Sequence, residues 1–494
     1  MRLTDLLDDD TGRSGVSGSS DVEITGLASD SRAVQPGFLF AALPGARADG
    51  RAFISDAIGK GATAILTSSG VDLGPAETAR RGSGVAWIRD PNPRRRFALF
   101  ASRFFRNQPR TVVAVTGTNG KTSVVRFVRH IWYVLGVSGA SIGTLGVSSE
   151  HLNQRGNLTT PDPVNLHRAL AELAGRGIDH LAMEASSHGL SQYRLDGVRV
   201  AAGAFTNLTR DHLDYHGSAE AYLSAKLRLF DQLVTLGGGA VVNADSAQAP
   251  AVQEAARRRG LRVVTYGSAE ASDLRLQRLA ALEGGQELSL SVFGERHDVA
   301  LPLAGDFQAS NALAALGLVL TTGGDLGKSV AALATLPQVP GRLERVARLP
   351  NGASIYVDYA HTPDALAAVL RAARAECRRR LVVLFGCGGD RDAGKRPEMG
   401  GVAAELADLV IVTDDNPRSE NPAAIRRQIL GGCPAATEIP GRGDAIEHAV
   451  AGLGEGDVLV VAGKGHETGQ IIGDVVHPFE DAAVVRAAAA RRGA

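Results

Sequence analysis

TVVAVTGTNGKTSVVRFVRHIWYVLG, residues 111–136, is the stretch whose reading decides the fold. Its first seven residues, TVVAVTG, have the composition of a buried strand. From residue 123 onward, apolar residues recur at helical spacing over a helical length. Between strand and helix lies Gly117-Thr118-Asn119-Gly120-Lys121-Thr122. Glycines there let backbone N–H groups approach phosphate oxygens, and a helix N-terminus adds positive potential. Lys121 is placed to reach β- and γ-phosphates, and the Thr122 hydroxyl to ligate Mg²⁺. The full GxxxxGK[ST] pattern needs glycine at 115, where this chain has Val115, so the loop is a variant. A plain Gly-rich turn with a chance lysine is the competing reading. The flanking strand and helix argue against it.

The same rhythm extends outward. HLAMEAS (180–186), VAAGAFTNL (200–208) and GAVVNAD (239–245) read as further strands. Strands alternating with helices imply a parallel sheet with covered faces. Residues 1–108 mix short apolar runs with Gly/Pro turns and read as a small α/β unit, with RFFRNQPR (103–110) as a linker. A second boundary is expected near LPQVPGR (336–342). Beyond it, SIYVDYA, RLVVLFGCGGD, ADLVIVTDDNPR and DVLVVAGKGHE each run from an apolar strand into a polar loop. That is the pattern of a doubly wound α/β domain, whose ligands sit at the carboxyl ends of the strands. The RRR runs at 94–96, 257–259 and 378–380 read as solvated helix ends.

Composition bounds the function. The 494 residues balance 53 Lys+Arg against 53 Asp+Glu, so there is no electrostatic footprint for a nucleic acid or an anionic membrane. Three cysteines without CxxC spacing suggest neither a disulfide framework nor a zinc site. The acidic N-terminus lacks the apolar core of a signal peptide, and no apolar run reaches membrane-spanning length. A cytoplasmic location is expected. Only six of the basic residues are lysines, so each lysine in this arginine-rich chain is worth inspection.

MEASSHG (183–189) puts Glu184 at a strand end, where a carboxylate can hold a metal or simply cap the core. TNLTRDHLDYHG (206–217) crowds Asp211, His212, Asp214 and His216 into six residues. Such density suggests ligation or pairing, or a polar loop. Lys226 lies on the helical stretch AYLSAKLRLF. From residue type alone, a lysine snorkelling from an apolar helix is the favoured reading. The sharper one is a desolvated amine able to take up CO₂ as a carbamate. Four C-terminal loops together bring Arg391, Lys395, Arg396, Asn416, Arg418, Lys464, His466 and Glu467. Arginines suit carboxylates and a glutamate suits an ammonium, so the set reads as an amino-acid pocket, with loop ion-pairing as the alternative.

Taken in order, TGTNGKTS, NLTTPDP, MEASSHGL, FTNLTRDHLDYHG, the Lys226 helix, QASNALAA, PGRLE, VDYAHTPD, GCGGDRDAGKRP, DDNPR and GKGHE resemble the Mur ligases of peptidoglycan synthesis. The resemblance covers nearly the whole chain. It implies an α/β protein of three domains: a small N-terminal UDP-sugar domain (1–108), a central P-loop-like ATPase (109–338) and a C-terminal Rossmann-like domain for the incoming amino acid (339–494). It implies ATP on Gly117 to Thr122, adenine near Asn311, and Arg342 and Asp358 on the nucleotide. Thr122, Glu184, His212 and Lys226 match metal-site positions. The family carries a carbamylated lysine where this chain has Lys226, which reverses the bland reading. Lys121, Lys226, Glu184 and His212 would form the catalytic set. Ser29, Ser31, Ala46, Arg47 and Ala48 match uridine-side positions. Asn119, Thr159, Thr160, Ser186, Gln192 and Arg194 match those for the muramoyl-dipeptide. Arg391, Asp415, Asn416, Pro417, Arg418, Gly463 and Glu467 match the amino-acid pocket.

The tetrad DNPR (415–418) matches the family's motif for meso-2,6-diaminopimelate. Diaminopimelate carries a distal carboxylate that Arg418 and Asn416 can pair, whereas lysine would leave the arginine unpaired. The implied activity is ATP-dependent addition of this third stem-peptide residue to UDP-MurNAc-L-Ala-D-Glu through an acyl phosphate, with Mg²⁺. The same reaction with L-ornithine or L-lysine stays open, and more distantly another ligase such as folylpolyglutamate synthase. A nucleotide-switched binding protein is the rival from another class, but its partner loops should be apolar. The expected partners are small molecules, with no nucleic acid and a monomeric chain.

Overall fold

The computed structural model describes residues 1–7, 15–18, 21–45, 48–70, 84–156, 158–282 and 284–493. Ala46 and Arg47, both expected on the uridine side, lie outside the described residues. The chain divides into two compact units that cut across sequence order. One comprises 1–114, 138–201 and 231–235, the other 115–137, 202–230 and 236–494.

The first unit opens with a five-stranded sheet ordered Val16–Ser17, Ala86–Asp90, Ala64–Ser68, Phe38–Ala41, Gly26–Ala28. Its strands are parallel except for the short Val16–Ser17 edge. Alternate strand residues pack on both faces, Leu39 and Leu66 among one set and Phe40, Ile65 and Trp87 among the other. That alternation is the two-fold period of a strand covered on both sides. The helix Pro93–Phe105 starts with Asn92 accepting from the Arg95 N–H and with proline in the first turn. It continues through 103–105, so the expected linker is shortened to 106–110. Arg96 is buried beneath Phe100 at 5.1 Å rather than solvated. The same unit pairs His180–Glu184 in parallel with Gly139–Gly143.

In the second unit the helix Lys121–Val134 begins two residues earlier than its spacing predicts, directly on Gly120. The strands Leu274–Leu282, Gly285–Val292 and Glu295–Leu301 form an antiparallel meander that the sequence reading passed over. The C-terminal six-stranded sheet runs Glu344–Arg348, Ser354–Asp358, Val458–Ala462, Leu381–Phe385, Leu409–Val412, Thr437–Glu438. Only the Glu344–Arg348 edge is antiparallel. Helices Pro363–Glu376, Lys395–Leu406 and Pro422–Leu430 pack on one face, Arg442–Ala451 and Asp481–Gly493 on the other. This is the doubly wound arrangement expected, with four loops at the carboxyl ends of its strands. Arg378 to Arg380 lie beyond the Cys377 cap of a helix, and Arg380 is locked on buried Asp457 at 2.6 Å. Among the described residues no helix is long and apolar enough to cross a membrane.

Arg442 and Asp481 join the last two helices through a fully buried pair with two 2.7 Å hydrogen bonds, and Arg442 also donates to the Ala462 carbonyl at 2.9 Å. Removing one partner leaves an uncompensated buried charge. Arg442→Ala should lower unfolding stability by ~3–5 kcal/mol in urea titrations. A loss under ~1 kcal/mol would show the pair to be energetically idle.

Candidate active site

The loop after Thr111–Thr116 takes its shape from its glycines. Gly117 has φ +148° and a Cβ there would lie 1.9 Å from the Thr206 Oγ1. Gly120 has φ +90° and would bring a Cβ 2.3 Å from the Asn311 Oδ1. The segment after Val200–Phe205 braces the loop. The Thr118 N–H donates to the Asn207 carbonyl at 2.9 Å, the Asn119 N–H to Asn207 Oδ1 at 2.9 Å, and Thr206 Oγ1 to the Asn119 carbonyl at 2.6 Å. With the loop fixed, the helix Lys121–Val134 starts directly on Gly120, the kind of N-terminus that suits an anion.

Two lysines converge on one carbonyl. Lys121 Nζ donates to Gly117 O at 2.9 Å and Thr118 O at 2.8 Å, and Lys226 Nζ donates to Gly117 O at 2.8 Å. Lys226 is buried, with its Nζ 4.3 Å above the Tyr222 ring. Burial drives its pKa well below the usual lysine range, the Lys121 charge pushes the same way, and Asp211 opposes both. The residue therefore does not snorkel. Its environment favours the neutral amine, the form that reacts with CO₂.

Tyr222 gathers the neighbourhood. Its hydroxyl shares a 3.2 Å hydrogen bond with Thr118 Oγ1, and the His212 and His216 rings lie 6.2 and 5.1 Å from its own. His212 adopts φ +54°, and its Nε2 is 3.5 Å from Asp211 Oδ2. Burial would raise the Asp211 pKa, but the charges of His361, His212, Lys395 and Lys121 outweigh it and hold the carboxyl below its ordinary value. Buried Thr122 Oγ1 accepts from Arg342 at 3.1 Å, and the Arg342 guanidinium stacks 4.6 Å over Tyr359. Asp358 accepts from the Leu343 and Ala360 N–H groups at 2.6 Å. Burial nevertheless raises its carboxyl to about 6, against the Arg342 charge and those two bonds. Asn311 is placed against Gly120 and donates to Gln308 at 3.2 Å.

The C-terminal loops line a cavity of about 180 Å³ with Arg391, Lys395, Asp415, Asn416, Arg418 and Glu467. Asp211, His212 and His361 line it as well, and Arg210 pairs with Asp392 at 3.2 Å and Glu398 at 2.6 Å across its rim. Lys464 is fully buried and donates to Asn416 Oδ1, Glu467 Oε2 and the Gly469 carbonyl at 3.0, 2.9 and 2.7 Å. Asn416 Nδ2 also donates to Glu467 Oε2 at 2.8 Å. The expected ligand groups Asn416 and Glu467 thus brace each other through Lys464. Arg396, read as a ligand group, is buried and tied to Glu420 and Gln428, so it shapes the loop. Arg418 sits at φ +52° and donates to the Gly389 carbonyl at 2.8 Å. Burial, then the nearby Arg391 charge, lowers its pKa against the opposing charges of Asp415, Glu467 and Asp390.

Three family models match along the chain: "Mur ligase family, catalytic domain" over 23–105, "Mur ligase middle domain" over 115–319, and "Mur ligase, glutamate ligase domain" over 341–465. A Bradyrhizobium diazoefficiens protein named UDP-N-acetylmuramoyl-L-alanyl-D-glutamate–2,6-diaminopimelate ligase is 52% identical over 495 residues, covering 100% of both chains. The like-named protein of Caulobacter vibrioides is 52% identical over 472 residues, 94% of this chain and 95% of its own. The chain belongs to the Mur ligase family. A solved structure of a like-named ligase superposes with a TM-score of 0.68 at 34% identity, covering 95% of each chain. The chain accordingly has the three domains of a Mur ligase and is an ATP-dependent ligase.

The first unit of this Mur ligase carries the described positions expected for the sugar-peptide apart from Asn119, which lies in the second. Ser31 is buried, and its carbonyl accepts from Lys60 Nζ at 3.0 Å, while Ser29 and Ala48 are exposed. Glu184 accepts from Thr144 N at 2.8 Å and Thr144 Oγ1 at 3.2 Å. Thr144 Oγ1 also reaches Thr159, and Thr160 Oγ1 links the Glu184 carbonyl to Ser186. Arg194 donates to the Thr160 carbonyl at 2.7 Å and Gln192 Oε1 at 2.8 Å. Thr159, Thr160, Ser186, Gln192 and Arg194 are therefore one connected cluster. Sequence reasoning missed Tyr222 and His361, although His361 stood in the quoted VDYAHTPD. No spacing tied either residue to the loop it serves.

Gly117→Ala tests the loop. The clash with Thr206 and the left-handed backbone should weaken ATP binding at least ~100-fold, measured calorimetrically, while UDP-substrate binding persists. Unchanged ATP affinity would mean that the loop tolerates a side chain and is not held as described.

Proposed function

We propose that this Mur ligase joins the D-Glu γ-carboxylate of UDP-MurNAc-L-Ala-D-Glu to an amine of meso-2,6-diaminopimelate at the expense of ATP. The observation that carries the reading is the Arg391–Arg418 cavity, whose arginine is held at a strained φ with a free-energy cost of ~1–2 kcal/mol. Such a group is suited to a carboxylate, and diaminopimelate presents one where lysine and ornithine do not. The names of the relatives point the same way. Residues 1–108, 109–338 and 339–494 are proposed as the UDP-sugar, ATP and amino-acid domains.

The residues divide the work as follows. Gly117 to Thr122 hold the ATP phosphates, with Lys121 on the β/γ oxygens and Asn311 near the base. Arg342 and Asp358 serve the nucleotide from the third domain. Phosphoryl transfer to the γ-carboxylate gives an acyl phosphate, and Lys121 and Arg342 neutralise charge on the transferring oxygens. The amine then attacks the acyl carbon, and the tetrahedral intermediate expels phosphate to leave the amide. Ser29, Ser31, Ala46, Arg47, Ala48, Asn119, Thr159, Thr160, Ser186, Gln192 and Arg194 orient the sugar-peptide. Arg391, Asp415, Asn416, Pro417, Arg418, Gly463 and Glu467 form the amino-acid site, with Asn416 and Glu467 shaping it.

Among the described residues no three His, Cys, Asp or Glu side chains gather as a metal site. That fits Mg²⁺, which takes one or two protein ligands plus substrate phosphates and water. Thr122, Glu184, His212 and a carbamate on Lys226 are the donors proposed, divided between two Mg²⁺ ions with the carbamate on the second, and bound Mg²⁺ would supply charge neutralisation for phosphoryl transfer. A carbamate fits Lys226 because burial favours the neutral amine.

Lys226→Ala should cut ligation by roughly 10²–10³-fold, with part of the rate returning on addition of short carboxylic acids. Wild-type turnover in that variant would exclude the carbamate. For the substrate, the purified chain is given ATP, UDP-MurNAc-L-Ala-D-Glu and an equimolar mixture of meso-diaminopimelate, lysine and ornithine. Mass analysis should show the diaminopimelate product, and a dominant lysine or ornithine product would replace the reading.

A further inference from the structure

Residues 469–478 form a two-stranded antiparallel ribbon, Gly469–Ile472 against Val475–Pro478, that joins no larger sheet. A lone hairpin is marginal in water, and Ile472, Val475 and Val476 are exposed. Its anchorage is the 415–418 loop. Gln470 Nε2 donates to the Asp415 carbonyl at 2.7 Å, and the Ile471 N–H donates to Asn416 Oδ1 at 2.9 Å. The Arg418 N–H donates to the Ile471 carbonyl at 3.1 Å, and the Gly473 N–H donates to the Arg418 carbonyl at 2.8 Å. Lys464 ties the ribbon's first carbonyl to the same assembly.

These bonds bear on the one unusual backbone angle in the tetrad. Arg418 sits at φ +52°, a conformation that a long L-residue leaves unless its neighbours over-determine it. Both its N–H and its carbonyl are claimed by the ribbon. From that backbone its guanidinium lines the amino-acid cavity and reaches the Gly389 carbonyl.

We infer that the 469–478 ribbon sets amino-acid selectivity, with Gln470 as a positioning residue that holds the 415–418 loop so that Arg418 faces the distal carboxylate. The inference rests on the proposed diaminopimelate reading. Gln470 acts by its side chain, whereas Ile471 acts through its backbone, so Gln470 is the position that substitution can address. Without its amide the loop relaxes toward ordinary φ and the guanidinium leaves its place.

The test compares the wild-type chain with Gln470→Met, which keeps length and removes the donor, and with Val475→Thr on the exposed face. Gln470→Met should raise KM for diaminopimelate about tenfold with kcat within about twofold, and should lower the preference over lysine by the same factor. KM for ATP and for the UDP-substrate should stay as in wild type, and Val475→Thr should change none of these. A wild-type chain without preference for diaminopimelate overturns the substrate reading beneath the inference. A wild-type preference that Gln470→Met retains, or a kcat loss equal for every amino acid, overturns the ribbon's role alone. Hydrogen exchange on the free wild-type protein decides independently of any variant's folding. The amides of Asn416 and Arg418 and those of 470–473 should exchange at a common rate, and a tenfold or greater split between them overturns the inference.

Discussion

The carbonyl of Gly117 accepts from two lysines, and the geometry of the ATP region depends on it. A backbone oxygen can face two ammonium groups only if the chain turns sharply beneath it. That turn requires a glycine, because the Thr206 hydroxyl occupies the place of a Cβ. One consequence is local shape, since the loop is braced by 206–209 and the helix starts at once on Gly120. Another is charge. Two cations at one acceptor cannot both stay protonated cheaply, and the buried one gives way. Burial and the Lys121 charge thereby favour the neutral amine at Lys226 over the opposing Asp211 charge.

The same logic separates groups that bind from groups that hold binders in place. Asn416 and Glu467 spend hydrogen bonds on each other and on Lys464, and Arg396 spends its own on Glu420 and Gln428. Arg391 and Arg418 line the cavity together with Asp415 and Glu467, and burial and the Arg391 charge outweigh those carboxylates at Arg418. A carboxylate ligand completes such a site. On the proposed reading, a ligand without a distal anion would leave Arg418 beside another arginine, and discrimination would arise from that deficit as much as from any attraction.

The strand–loop–helix at 111–136 was legible because burial on both faces, a glycine turn and helical spacing each leave a composition signal. The doubly wound sheet was legible for the same reason, with Ile355, Val357, Leu459 and Val461 packing to one side and Tyr356, Val458 and Val460 to the other. The meander at 274–301 was harder. Its strands are half-exposed and carry Arg275 and Arg278 among the apolar residues, although the alternation in LSLSV was a usable sign. Arg96 was misread because a cation–π contact buries it, and no run of arginines reveals which one finds an aromatic ring. Tyr222 and Gln470 were silent altogether. Each acts across 104 and 55 residues of chain, through packing that only the folded backbone brings about.

Lysine usage then has a physical account. Lys464 gives three hydrogen bonds from one nitrogen within 3.0 Å, in a site with no exposure. A planar guanidinium cannot place donors that way, and its extra N–H groups would be buried without partners. Lys121 bends back onto two carbonyls of its own loop, which needs a flexible stem and a compact head. Lys226 sits where burial favours an amine without its proton, a state arginine does not reach in proteins. A chain that otherwise favours arginine thus keeps lysine where a point donor or a titratable amine is required. The balanced net charge leaves these local fields intact.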